Sequence, residues 1–450
     1  MLTREACQKI IDLAIQHAFK RVDGIEVQII GSDVETSRFA NNEVTQHQAN
    51  VVDRAGVRLL SQGKQVRLET DDLSSAGVRA LVDRAITAVG LMEKDDTLPA
   101  LATADGDSSW HSYPERFDPQ VREIDAHARA FAIKEMIEIA SRHKLSAAGV
   151  YASGTRFEAL GNSTGLFTYH RETYLESSVT MCGADSTGWA KAQGPHRYMV
   201  DTRALAEKAA MKAKASANPQ AITPGHYTVI LEHAAVLDLL SYLWWDFTGT
   251  SHLDKRSCLL DKLGDKVFGD NITIEDDVYH REQAGCPFDG EGLNRRKVVI
   301  VENGVLRNLV FGRRSAGRMG VAPTGHGLPE PNSLGDQPRN LVIPGNGMQL
   351  DDMVKSTEKG VLLTRVWYVR QVDPARKIVT GMTRDGTFLV ENGEVSQGIK
   401  NLRFNVSLIE LLKKVISLGD SRRTAGEEDI PQVVPAMKVA DFNFTEVTRF

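Results

Sequence analysis

Twelve histidines and four cysteines are the side chains of this 450-residue chain best suited to holding a catalytic metal, and their spacing decides what they can do. A zinc hydrolase brings two or three imidazole, thiolate or carboxylate ligands to one point, commonly with two histidines on one helix beside a catalytic glutamate. No pair of histidines here has that spacing, and no His-Glu dipeptide occurs in the sequence. Glu232-His233 opens a helical run to Trp245, but the next histidine is His252. Val236, Leu237, Leu239, Leu240 and Leu243 on the intervening face read as a core-facing stripe. His252, Asp254, Cys258 and Asp261 are ligand types at close quarters, yet Leu253, Lys255 and Arg256 interleave and no second cluster completes a site. Cys7, Cys182, Cys258 and Cys286 are dispersed without a Cys-x-x-Cys pair, which predicts inert thiols rather than a disulfide framework or a zinc knuckle.

Other chemistries find less support. The glycine-rich stretches Gly285 to Gly292 and Gly317 to Gly327 lack the Gly-x-x-x-x-Gly-Lys-Ser/Thr pattern that cradles phosphates, so they read as irregular loops whose backbone approaches a neighbour or a ligand. A Ser/His/Asp arrangement assembled from distant residues stays formally open. Lys plus Arg number 54 against 59 Asp plus Glu, a net charge of −5, so no overall positive field gathers nucleic acid. Met1 to Lys20 mixes Arg4, Glu5, Lys9 and Asp12 with apolar residues, unlike a signal peptide. No apolar run nears the roughly 18 residues of a membrane span, and a reducing cytoplasm fits best.

The elements that must position any site follow from periodicity and punctuation. Ala6, Ile10, Ile11, Leu13, Ala14 and Phe19 predict an amphipathic helix over 3–20, capped by Thr3. Ile25 to Ile30 alternates as a strand, Val57–Leu60 and Val66–Leu68 form a hairpin across Gln62-Gly63-Lys64, and Ser74 to Leu91 is helical. Residues 1–97 thus predict one α+β domain, and 98–117, rich in Thr, Asp, Ser and Gly, a linker. A central α+β domain spans 118–219. It has a long helix from Asp118-Pro119 toward His143, then strands at Ala147–Tyr151, Arg156–Leu160 and Leu166–Met181 turning at Asn162-Ser163-Thr164-Gly165, and a helix from Thr202 to Ala217. Residues 220–450 predict a β-rich domain, marked by Val301-Glu302-Asn303-Gly304 and Val390-Glu391-Asn392-Gly393, each an Asn-Gly hairpin between apolar runs. The fold class is α+β: a two-part amino-terminal region with antiparallel sheets, then a β-rich carboxy-terminal domain.

Five stretches, in order along the chain, resemble the TldD/PmbA family, also called modulators of DNA gyrase. They are Arg38-Phe39-Ala40-Asn41-Asn42, and Asp261-Lys262-Leu263-Gly264; Ala322-Pro323-Thr324-Gly325-His326-Gly327 with Pro338-Arg339-Asn340-Leu341; Gly360 to Trp367, with its Leu-Leu-Thr-Arg core; and Gly386 to Gly393. In this family the TldD-type subunit holds zinc through His-Glu-x-x-x-His on a helix plus a late cysteine, and the PmbA-type (TldE) subunit lacks these ligands. The resemblance puts Ser241 and Tyr242 where His-Glu would stand and Asp246 where the second histidine would stand, and no cysteine follows Gly419.

The resemblance therefore implies a chain with no catalytic or metal residues of its own and no cofactor. Its implied partner is a zinc-bearing TldD-like chain in a heterodimeric metallopeptidase that degrades unfolded proteins or processes peptides. A homodimeric, self-sufficient peptidase using groups such as His252, Asp254 or His326, or a non-enzymatic regulatory or binding protein, are the alternatives. Within the first reading Arg318, His326, Arg339 and Arg365 are expected to line the path of an extended peptide, and an exposed sheet edge to receive it as an added strand.

Overall fold

The computed structural model describes residues 1–103, 113, 115–427 and 430–448. The chain first builds a six-stranded antiparallel sheet from β1 (Gly24–Ala40), β2 (Glu43–Ser61), β3 (Lys64–Thr70), β4 (Ser146–Asn162), β5 (Phe167–Cys182) and β6 (Thr187–Gly194), in the order β3-β2-β1-β4-β5-β6. Because β1 pairs with β4, this sheet runs across segment 98–117 and joins what the sequence divides into two units. Strands of 16 to 19 residues are long enough to floor two separate cores. α1 (Arg4–Ala18) and α2 (Ser75–Gly90) pack over Val27, Ile29, Val57 and Leu59 at one end. Past the short α3 (Pro119–Arg122), α4 (Ala126–Arg142) and α5 (Thr202–Ala215) pack over Phe39, Tyr151, Leu175 and Val179 at the other.

Local chemistry sets the helix starts. The side chains of Thr3, Ser74 and Asp201 each accept a first-turn N–H, as their residue types demand. Two elements differ from the sequence reading. The helix expected from Asp118-Pro119 to His143 is broken after Arg122, because Asp125 accepts the Ala128 N–H at 2.8 Å and starts a second helix. The two strands expected at Ala147–Tyr151 and Arg156–Leu160 are one, because Gly154, between them, lies where a Cβ would come within 2.1 Å of the Asp33 carbonyl and lets β4 run straight past β1. The described ends of 98–117 are packed: Leu101 and Ala102 are buried, and buried Arg116 donates to the carbonyls of His280 and Arg281 at 2.9 and 2.8 Å.

Eleven further strands form the second sheet: β7 (Gly225–Leu231), β8 (Ile274–Asp276), β9 (Val298–Glu302), β10 (Val305–Leu306), β11 (Leu341–Val342), β12 (Lys359–Asp373), β13 (Ile378–Glu391), β14 (Glu394–Gly398), β15 (Leu402–Ser407), β16 (Val415–Thr424) and β17 (Gln432–Val447). β17 pairs with both β15 and β7, so β7, β12, β13, β15 and β17 close on themselves and present no free edge to one another. Both Asn-Gly tetrads are hairpin turns with the positive φ that such turns need, 49° and 80° at Asn303-Gly304 and 52° and 79° at Asn392-Gly393. The protein is thus α+β throughout, and among the described residues no helix is long and apolar enough to cross a membrane.

A buried charge network fastens the two sheets. Glu26, Arg58 and Arg67 of the first meet the loop carrying Asp289 and Glu291, while Arg314 bridges Asp95 at 2.8 Å and Glu330 at 2.7 Å. Glu291 Oε2 accepts the Arg313 N–H at 2.8 Å, and burial, with the Asp289 charge, pushes its carboxyl up to about 8. The folded chain therefore keeps this proton while the unfolded chain loses it above the ordinary carboxylate range. The stability it contributes is complete below that range and is lost at up to about 1.4 kcal/mol per pH unit until the folded group ionises too. Glu291→Gln, neutral at every pH, is expected to match the parent in urea unfolding near pH 5 and to exceed it at pH 9. Parallel pH dependences would contradict this.

Candidate functional site

The two sheets meet at a helix head where β7 ends. Glu232 follows β7, and His233 begins α6 (His233–Leu240), an eight-residue helix buried along its whole length. Opposite it stand α5 and β6, and the end of β16 closes the side. Between them is a cleft of about 320 Å³ reached by Lys208, Lys212, Glu232, His233, Thr364 and Arg422.

Charge in this cleft is uneven. Lys212 Nζ donates to Glu232 Oε1 at 2.6 Å, Lys208 Nζ lies 3.1 Å from Oε2, and the Thr364 hydroxyl donates to Oε1 at 3.3 Å. Burial alone would raise the Glu232 carboxyl, but Lys212 and then Lys208 outweigh it and hold the group at about 2. Burial lowers the Lys212 ammonium to about 8 against the attraction of Glu232. His233 Nε2 donates to the Asp420 carbonyl at 3.1 Å and Nδ1 accepts from Arg422 at 2.9 Å, so burial and then the Arg422 charge hold the ring neutral, at about 4. Three cations thus surround one carboxylate and one neutral imidazole.

Farther along, α6 tightens into a 3-10 turn over Ser241–Phe247 that carries the three positions the resemblance singles out. Ser241 donates to the Asp238 carbonyl at 3.1 Å, and Tyr242 donates its phenol to the Val369 carbonyl at 2.7 Å. Asp246 is 2% exposed; its Oδ1 accepts the Cys258 N–H at 2.8 Å, and Oδ2 pairs with Lys377, itself buried. The sequence cluster His252, Asp254, Cys258, Asp261 is drawn together only in part. His252 Nε2 donates to the Asp246 carbonyl at 3.1 Å and Cys258 packs nearby, its thiol raised by burial and then by Asp246, while Asp254 pairs with Arg256 at 2.9 Å and Asp261 is exposed. Among the described residues no three His, Cys, Asp or Glu side chains gather as metal ligands.

The four arginine and histidine positions expected to line a peptide path do not converge. His326 is fully buried, with Nε2 3.1 Å from Asp276 Oδ1 and Nδ1 2.9 Å from the Thr324 hydroxyl, so it braces the fold and cannot touch a peptide. Arg365 pairs with Asp385 at 2.9 Å and lies over the Trp189 ring, behind the cleft wall. Arg339 borders a second cavity of about 300 Å³ with Arg156, Glu158, His170 and Glu172. Arg318 is exposed on the helix Arg313–Met319.

Lys208, Lys212 and Arg422 escaped the sequence reading. Their signals are the i, i+4 spacing of the two lysines on one face of α5 and the alternation of β16. Gly161-Asn162-Ser163-Thr164-Gly165 also has the spacing of a nucleophile elbow, which the sequence reading passed over. The structure makes it the β4–β5 hairpin turn, with Ser163 Oγ accepting the Ile25 N–H at 3.2 Å and no helix following, so it is not an elbow. In the tail, Glu427 donates its N–H to Asp238 Oδ1 at 2.7 Å, and a Cβ on Gly426 would lie 2.1 Å from the same oxygen. The stretch Thr424-Ala425-Gly426 therefore rests directly on α6.

Residues 224–446 match the family model for the PmbA/TldA metallopeptidase C-terminal domain. Metalloprotease PmbA of Escherichia coli O157:H7 is 22% identical over 460 aligned positions, covering 97% of this chain and 96% of that protein. An uncharacterised protein of Methanocaldococcus jannaschii is 30% identical over 273 positions, 59% of this chain and 62% of its own length. The crystal structure of TldE from Thermococcus kodakarensis superposes with a TM-score of 0.86 at 18% identity, covering 98% of this chain and all of that one, so the fold is shared along the whole length. Residues 224–446 of the chain thus belong to the TldD/PmbA family.

Proposed function

We propose that this chain is the metal-free, PmbA/TldE-type subunit of a two-chain cytoplasmic peptidase, acting with a zinc-bearing TldD-type partner on unfolded or extended peptides. The observation that carries this reading is the fate of Ser241, Tyr242 and Asp246. A zinc-binding helix needs neutral imidazoles free to donate a lone pair and a carboxylate free to move a proton. Here two of the three positions donate to backbone carbonyls, and the third, a carboxylate where the motif calls for an imidazole, is neutralised by the ammonium of Lys377. The tail that rests on α6 carries Thr424-Ala425-Gly426 and no thiol. These residues do not fit a zinc ion, and no chemical step is assigned to them. The names of the relatives, metalloprotease PmbA and TldD, support a role in proteolysis.

A fluorogenic unstructured peptide tests the reading. The purified chain is expected to leave it intact, with hydrolysis appearing on addition of the TldD-type chain and saturating at one-to-one stoichiometry. Turnover by this chain alone, lost on His252→Ala, would instead support a self-sufficient peptidase.

A further inference from the structure

The cleft at the head of α6 has a composition that the reading above does not use. Of its charged groups, Lys208 and Lys212 share Glu232, and the Arg422 guanidinium, on an exposed residue, meets only the neutral His233 ring among the described residues. The other carboxylates near it are occupied or set apart: Asp201 caps α5 through the Ala204 N–H at 3.0 Å, and the half-buried Asp420 lies with Oδ1 3.6 Å from His233 Nε2, the ring nitrogen opposite the one that meets Arg422. Lys191 is held by Glu176 at 3.5 Å, and Arg423 by Gln193, Gln283 and Glu282. The excess positive charge therefore rests on Lys208, Lys212 and Arg422, facing a cavity. Glu232 makes no side-chain capping bond, so the positive end of α6 adds to the same field. The walls are apolar, with Ala192, Met199, Leu205 and Ala234.

We propose that this cleft is a binding site for the terminal α-carboxylate of a peptide, with Arg422 and Lys208 gripping the carboxylate and the apolar walls receiving the side chains just before it. Arginine presents a planar fork that pairs with a carboxylate through two parallel hydrogen bonds, and the Arg422 guanidinium, which spends one terminal nitrogen on the neutral His233 ring, meets no carboxylate among the described residues. A small inorganic anion satisfies the cations and leaves the apolar walls unused, which is why the carrier is a peptide. The nature of that carrier rests on the peptidase-subunit reading; the preference for a carboxylate does not.

The test uses the full chain without its partner, so its outcome is independent of catalysis. Fluorescein-labelled Gly-Ser-Ala-Ala-Leu-Ala with a free carboxyl end is compared by anisotropy with the same peptide ending in an amide. The acid is expected to bind at least tenfold tighter than the amide. Arg422→Gln and Lys208→Gln should each erase most of that difference with an unchanged thermal melt, and Lys355→Gln, at an exposed lysine that does not line the cleft, should preserve it. Equal binding of acid and amide, binding of neither, a difference that survives Arg422→Gln, or orthophosphate binding more tightly than the acid peptide would each overturn the proposal. Acid-selective binding in a chain that never supports hydrolysis with a TldD-type partner would leave the cleft assignment standing and remove the peptidase-subunit reading.

Discussion

Asp246→Ala is expected to destabilise the protein by about 3–5 kcal/mol, the cost of leaving a buried charge without its partner. Lys377 and Asp246 are both buried, and Lys377 has no other acceptor recorded among the described residues. Removing the carboxylate strands the ammonium and also frees the Cys258 N–H that Oδ1 accepts. Asp246→Ala combined with Lys377→Met removes both charges and should recover most of the loss, because an apolar pair needs no desolvation. Trp244 and Trp245 adjoin Asp246 in sequence, so urea unfolding followed by tryptophan fluorescence reports on this part of the fold. A loss below 1 kcal/mol, or no recovery in the double variant, would contradict a buried and mutually dependent Asp246–Lys377 pair.

His326→Ala is expected to cost about 3 kcal/mol, at the low end for a broken buried pair because Asp276 Oδ2 keeps the N–H groups of Arg339 and Asn340 at 2.7 and 3.1 Å. Burial would raise the Asp276 carboxyl, but His326 outweighs it and holds the group below its ordinary range. Such a group contributes stability that is complete above the ordinary carboxylate pKa and is lost as pH falls through its lowered folded value. The penalty of His326→Ala should therefore be largest near neutrality and shrink in strong acid. A peptide-lining role predicts the reverse pattern, unchanged unfolding with weakened peptide use in the two-chain enzyme. Urea midpoints at pH 7 and pH 3 separate the two.

What the sequence made legible was local. The caps at Thr3, Ser74 and Asp201, and the two Asn-Gly turns, depend on a side chain and its own neighbours, so residue type announces them. The break at Glu123–Asp125 was hidden because Asp118 and Asp125 are both good caps, and helical spacing continues across the gap. Closure of the five-stranded barrel depends on β7 meeting β17, two strands separated by some 200 residues, and no periodicity encodes that pairing. The cleft was hidden for the same reason: Lys208, Glu232, Thr364 and Arg422 come from four elements. His326 misled because a motif residue in a glycine-rich loop looks like a binding residue, while its burial against Asp276 is visible only in three dimensions. Ser241, Tyr242 and Asp246 were identified by resemblance; their bonds to the Asp238 and Val369 carbonyls and to Lys377 are visible only in the folded chain.

Metal content tests the central claim most directly. The purified chain, dialysed against micromolar zinc and analysed by inductively coupled plasma mass spectrometry, is expected to carry well below one zinc per chain, and Asp246→Ala should not change that. One zinc per chain, lost when Asp246, His252 or Cys258 is replaced, would contradict the account.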